Sequence, residues 1–138
     1  MYMVYVVEDS SAIRDAIISN LESCGQIEVI GVADSAGDAW NDTRLPSAHA
    51  IIVDLALRHS NGFDLLQKLN AAPQFANVVK IVLTNYTTKM FRQRALALGA
   101  SHFFDKSFDF EQVAELLENL ARRHNAHTGG LLGSPEAT

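Results

Sequence analysis

Short apolar runs recur along this chain, each separated from the next by a stretch with helical spacing. Val4-Tyr5-Val6-Val7, Ala50-Ile51-Ile52-Val53 and Ile81-Val82-Leu83 are the plainest. Runs this short and this continuous read as strands buried on both faces of a parallel sheet. The pattern predicts strands at 3–7, 27–33, 50–54, 79–84 and 101–105, and helices at about 11–24, 35–45, 62–71, 88–98 and 109–123. In the first helix Ile13, Ala16, Ile17, Leu21 and Cys24 share a face, with Ser10 or Ser11 as cap. In the second, Ala36, Ala39, Trp40 and Thr43 face inward before Pro46. Leu65, Leu66 and Leu69 form the third stripe, and Gly99 stops the fourth helix. Phe110, Val113, Ala114, Leu117, Leu120 and Ala121 give the last helix the clearest period.

Five β–α units in series predict an α/β fold with one doubly wound, five-stranded parallel sheet. Right-handed crossovers with helices on both faces give the strand order 2-1-3-4-5. The periodicity stops after Arg123. Residues 124–138 include Gly129, Gly130, Gly133 and Pro135 and are expected to form a disordered tail beside a single 1–123 domain.

Polar groups follow these runs at matching places. Glu8 and Asp9 follow the first strand, Asp54 ends the third, Thr84 the fourth, and Lys106 follows the fifth. Ligand sites of such sheets lie outside the carboxyl ends of the strands, where the strand order reverses. Three carboxylates gathered there repel one another unless a cation sits among them. The expectation is a hard divalent metal with phosphate chemistry around it.

Composition narrows the function. The 138 residues are 48% hydrophobic and 20% charged, enough for one domain with a sizeable core. A net charge of −5 with no basic cluster beyond Arg122-Arg123 argues against a nucleic-acid groove. No apolar stretch reaches the length of a membrane span. No signal peptide is recognisable, and the single cysteine, Cys24, fits a reducing cytoplasm. The five histidines show no metal-ligand spacing and are expected on the surface.

These residues together resemble the receiver domain of two-component response regulators, of the stand-alone, chemotaxis-regulator type. The resemblance spans about residues 3–123 and implies a flavodoxin-like fold. It implies that Asp54 is the phosphoacceptor. Magnesium, or manganese, would be held by Glu8, Asp9, Asp54 and the carbonyl of Ala56. Lys106 would pair with Asp54 and then with the phosphate, and Thr84 would donate to a phosphoryl oxygen. Phe103, three before the lysine, would be the aromatic switch residue, although its position also reads as plain core. Gly62 matches the glycine that opens the third helix. Ala56, Asn85 and Tyr86 fall where the family tunes access and dephosphorylation. The donor would be a histidine kinase or a histidine phosphotransfer protein. Output would pass to another protein on the face made by the fourth helix, fifth strand and fifth helix.

Three positions depart from the family pattern. Asn85 stands where a small residue is usual, Ser107 where proline follows the lysine, and Arg58 where proline often stands four after the acceptor. A cis bond without proline costs about 2.5–4 kcal/mol, so a trans Lys106–Ser107 bond is expected. The chemistry stands without the resemblance: a carboxylate can attack phosphorus, and phosphoryl transfer needs positioning and charge neutralisation above all. Such a protein catalyses its own modification without being a turnover enzyme. Two other readings remain at this point. One is a small phosphohydrolase working through an aspartyl phosphate, against which Ala56 stands where a second acid would be needed. The other is an interaction module with a vestigial site.

Overall fold

The structure is a computed structural model and describes residues 1–132. Its strands are β1 (Tyr2–Val7), β2 (Ile27–Ala33), β3 (Ala50–Val53), β4 (Val79–Thr84) and β5 (His102–Asp105). All neighbours pair in parallel, in the order β2-β1-β3-β4-β5. That is the predicted order.

Alternate residues of each strand feed two separate cores. Tyr5, Val7, Ile51, Val53, Val82 and Phe103 face α2 (Ala36–Trp40), α3 (Gly62–Ala71) and α4 (Lys89–Ala97). Val4, Val6, Ile52, Ile81 and Leu83 face α1 (Ser11–Glu22) and α5 (Phe110–Leu132). Both faces are covered, which is why the strands read as continuous apolar runs and not as alternation. Each fully buried branched side chain contributes about 1.5–3 kcal/mol.

Four helices begin on side-chain caps. Ser10, Ser35, Asn61 and Thr88 accept from the N–H groups of Ile13, Asp38, Asp64 and Phe91, each cap worth about 1 kcal/mol. Gly99 closes α4 at φ +93°, and a side chain there would also meet Asn70 Oδ1 at 2.7 Å.

Four expectations are corrected. The second helix is shorter than 35–45: it stops at Trp40, and Thr43 is exposed. Its continuation is diverted because the Asp42 carboxylate accepts from Tyr5 Oη at 2.6 Å and is gripped by Arg44. Second, the segment 55–61, which reads from the sequence as a plain loop before the third helix, contains an antiparallel ribbon, with Ala56–Leu57 paired to Ser60–Asn61. The ribbon is tied down where Ala36 N donates to Ser60 Oγ at 3.0 Å.

Third, the helix predicted at 109–123 runs to Leu132, so the expected tail from 124 begins as helix; residues 133–138 lie outside the described residues. Side chains anchor the extension. Asn125 Nδ2 donates to the backbone and side-chain oxygens of Gln26 at 3.0 and 2.8 Å. His124 packs against His49 at a ring separation of 4.2 Å and edge-on against Tyr2. His49 is therefore half-buried and not a surface residue: its Nδ1 accepts from Met3 N at 2.9 Å.

Candidate functional site

The strand ladder sets the site. β1 and β3 run in register, Val7 beside Val53, so the next residues, Glu8 and Asp54, emerge side by side. Backbone bonds carry the ladder past the strand ends: Asp54 N donates to Val7 O at 3.1 Å and Glu8 N to Ala33 O at 2.9 Å. On the other side Lys106 N donates to Thr84 O at 2.9 Å. Glu8, Asp9, Asp54, Thr84 and Lys106 thus reach one end of the sheet.

Lys106 Nζ bridges two of the acids, at 2.6 Å from Asp54 Oδ2 and 2.7 Å from Glu8 Oε1. Glu8 and Asp54 are buried and Asp9 is half-buried. Carboxylate oxygens of Glu8, Asp9 and Asp54 lie within 4.8 Å of one another. One ammonium against three carboxylates leaves an uncompensated negative site. Burial pushes the Glu8 carboxyl up, while Lys106 and the Ser10 N–H oppose that and Asp54 adds to it. Burial by itself would lower Lys106, but its hydrogen bonds to Asp54 and Glu8 prevail and raise it.

The remaining predicted residues surround this centre. Ala56 N donates to Asp54 Oδ1 at 3.3 Å, so its peptide borders the Asp54 carboxylate. Thr84 is fully buried and its Oγ1 accepts from Tyr86 N at 3.1 Å. Tyr86 is 52% exposed. Phe103 lies in the core, with the Arg92 guanidinium 4.9 Å from its ring centre. Gly62 packs directly on the backbone carbonyl of Asp54, where a Cβ has no room.

The departures acquire reasons here. Arg58 N donates to Asp34 O at 3.3 Å, which a proline there could not do. Ser107 N likewise donates to Asp105 Oδ1 at 2.7 Å, and its peptide is trans as expected. Ser107 Oγ donates to Asn85 Oδ1 at 3.2 Å, so two separate departures form one contact. Arg14, whose Nη1 donates to Glu8 O at 3.2 Å, was not foreseen. Its reach depends on how α1 leaves the sheet, which residue spacing does not reveal.

The donor set suits a hard cation: oxygens only, acidic, and partly open at Asp9. It has a buried carboxylate, an ammonium beside it and a hydroxyl residue within the same strand-end layer.

The model of the response regulator receiver domain matches residues 4–118. A protein-glutamate methylesterase/protein-glutamine glutaminase of Halalkalibacterium halodurans is 32% identical over 122 residues, covering 83% of this chain and 34% of that protein. The response regulator Rre1 of Synechocystis sp. is 26% identical, covering 88% of this chain and 52% of that one. The chain thus spans between a third and about half of these relatives' lengths. Among solved structures, the signal receiver domain of a DNA-binding response regulator from Colwellia psychrerythraea superposes with a TM-score of 0.79 at 22% identity, covering 88% of this chain and 99% of that one. The response regulator domain of Thermotoga maritima CheB gives 0.73 at 25% identity, covering 89% and 95%. With its sheet order and its strand-end acids in place, this chain belongs to the response regulator receiver domain family.

Proposed function

We propose that this domain is a phosphorylatable switch in which Asp54 accepts a phosphoryl group from a phosphohistidine donor. The observation that carries the reading is Lys106 bridging Asp54 and Glu8 inside a cluster of three acids. The Asp54 carboxylate attacks phosphorus, the P–N bond breaks, and the imidazole leaves with a proton. Lys106 holds Asp54 before transfer and the phosphoryl oxygens afterwards. Thr84 donates to a phosphoryl oxygen. Glu8, Asp9, Asp54 and the Ala56 carbonyl would hold magnesium, which when bound neutralises charge on the transferring group.

The protein donor is a histidine kinase or histidine phosphotransfer protein, and the setting is cytoplasmic. Among the described residues no helix is long and apolar enough to cross a membrane. Met90 and Leu96 on α4 and Phe108 after β5 are exposed apolar side chains, which favour a protein target on the α4–β5–α5 face. Ala56 has no polar side chain to orient a hydrolytic water, so self-dephosphorylation is slow.

Incubation with acetyl phosphate and magnesium, read by intact mass, tests the reading. One phosphoryl adduct is expected on the native protein and none on Asp54→Asn. An undiminished adduct on the variant overturns the assignment.

A further inference from the structure

A cleft of about 300 Å³ opens next to the acceptor, lined by Leu55, Asn61, Phe63, Tyr86, Phe91 and Arg94. It lies between the start of α3 and the β4–α4 loop. That volume is at the lower limit of small-molecule sites and is large enough for a single ring. Its walls are mainly apolar: Phe63 and Phe91 meet at 5.8 Å between ring centres, and the Arg94 guanidinium covers Phe63 at 4.3 Å.

Tyr86 forms the outer lip of this cleft. Its ring is half out in solvent and stands edge-on to Phe91, with 6.3 Å between ring centres. Its backbone is attached to the site through the bond from Tyr86 N to Thr84 Oγ1. Any displacement of that hydroxyl toward Asp54 draws the Tyr86 N–H with it or leaves it without its partner. Phe103, in contrast, is already buried in the core, with the Arg92 guanidinium 4.9 Å from its ring centre.

We propose that Tyr86, and not Phe103, is the aromatic side chain that moves on phosphorylation, turning into the cleft between Leu55, Phe63 and Phe91. This deepens the phosphoswitch reading and rests on it. Burial of the ring is favourable in itself, and a buried phenol also needs a polar partner; Asn61 and Arg94 stand in the cleft wall. Because Phe91 and Arg94 belong to α4, the filled cleft presents a different α4 to a partner. The signal then runs from Thr84 through Tyr86 to α4, a two-state element biased by the phosphoryl group.

The test is NMR of the whole chain with magnesium, with and without beryllofluoride. Amide shifts at Asp54 and Lys106 report loading separately from ring movement. New nuclear Overhauser contacts from the Tyr86 ring to the Leu55 methyls are expected on loading, with the Phe103 ring contacts unchanged. In Tyr86→Ala, loading should persist while the amide shifts along 89–97 shrink at least threefold; Tyr86→Phe should retain them. Loading without the Tyr86–Leu55 contacts, or full α4 shifts in Tyr86→Ala, overturns the proposal. Absence of loading in the native protein overturns the phosphoswitch reading and this proposal with it.

Discussion

Ser107 donates to Asn85 across the mouth of the acidic site, at 3.2 Å. The contact ties the loop after β4 to the loop after β5, directly above Thr84 and Lys106. In the sequence these residues are two unrelated departures from the family pattern, 22 positions apart. Together they form a polar clasp in which a serine hydroxyl meets an amide that would otherwise crowd the entrance.

A clasp at the entrance should govern access more than stability. Both residues are exposed, so either alanine variant should change stability by less than about 1 kcal/mol. Asn85→Ala should raise the rate of phosphorylation by acetyl phosphate several-fold, and Ser107→Ala should raise it less. The double variant should match Asn85→Ala, because the hydroxyl has nothing left to hold. Additive rates, from a double-mutant cycle by intact mass, would refute the clasp.

The metal is expected to matter through charge. Asp9 is the most open of the three acids, so Asp9→Ala should fold normally yet weaken magnesium binding by tenfold or more. Phosphorylation should stop when EDTA is added and resume with excess magnesium. Titration followed by amide shifts checks the affinity. Rates indifferent to EDTA would remove the metal from the chemistry.

The sheet and the strand-end acids were legible because both depend on local signals. A run such as Ile51-Ile52-Val53 is apolar since both faces of β3 are covered, and Asp54 ends it where the cover ends. What was not legible depends on contacts between distant residues. The second helix breaks at Trp40 because Asp42 turns to Tyr5, 37 positions away. The helix beyond Arg123 persists because Asn125 reaches Gln26, 99 positions away. A glycine-containing segment without period gives no sign of such an anchor. Gly62 was matched by resemblance, but its physical reason, the Asp54 carbonyl beneath it, is tertiary.

Glu8 should show the cost of assembling the site. Its folded carboxyl is raised, chiefly by burial, so the folded state disfavours the ionised form. Stability linked to Glu8 is therefore full below its ordinary value of 4.5 and is lost as pH rises through the raised one. Glu8→Gln keeps the shape and an acceptor for Lys106, and should stabilise the metal-free domain at pH 7 by roughly 1 kcal/mol. Magnesium affinity should fall in the same variant. Thermal unfolding from pH 4 to 8 checks this: the native and variant curves should converge at low pH. A variant less stable than native at pH 7 would show that the Lys106 pair outweighs the burial.

At the far end of the sheet, His49 should make the last turns of α5 sensitive to acid. Its Nδ1 accepts from Met3 N, so the ring must be neutral and carry its proton on Nε2. Burial, the neighbouring His124 and the N-terminal ammonium all hold His49 below its ordinary 6.5. Stability linked to it is present above 6.5 and is lost as pH falls through the lowered value. Protonation then costs the Met3 bond and sets a cation against the rings of His124 and Tyr2, loosening the helix beyond Arg123. Amide exchange at 124–127 should accelerate as pH falls from 7 toward 5, after correction for intrinsic rates, while exchange in β3 stays constant. His49→Gln should flatten that pH dependence, and His49→Ala should cost about 1–3 kcal/mol by leaving the Met3 N–H without its partner. A pH response that persists unchanged in His49→Gln would place the sensitivity elsewhere on the helix.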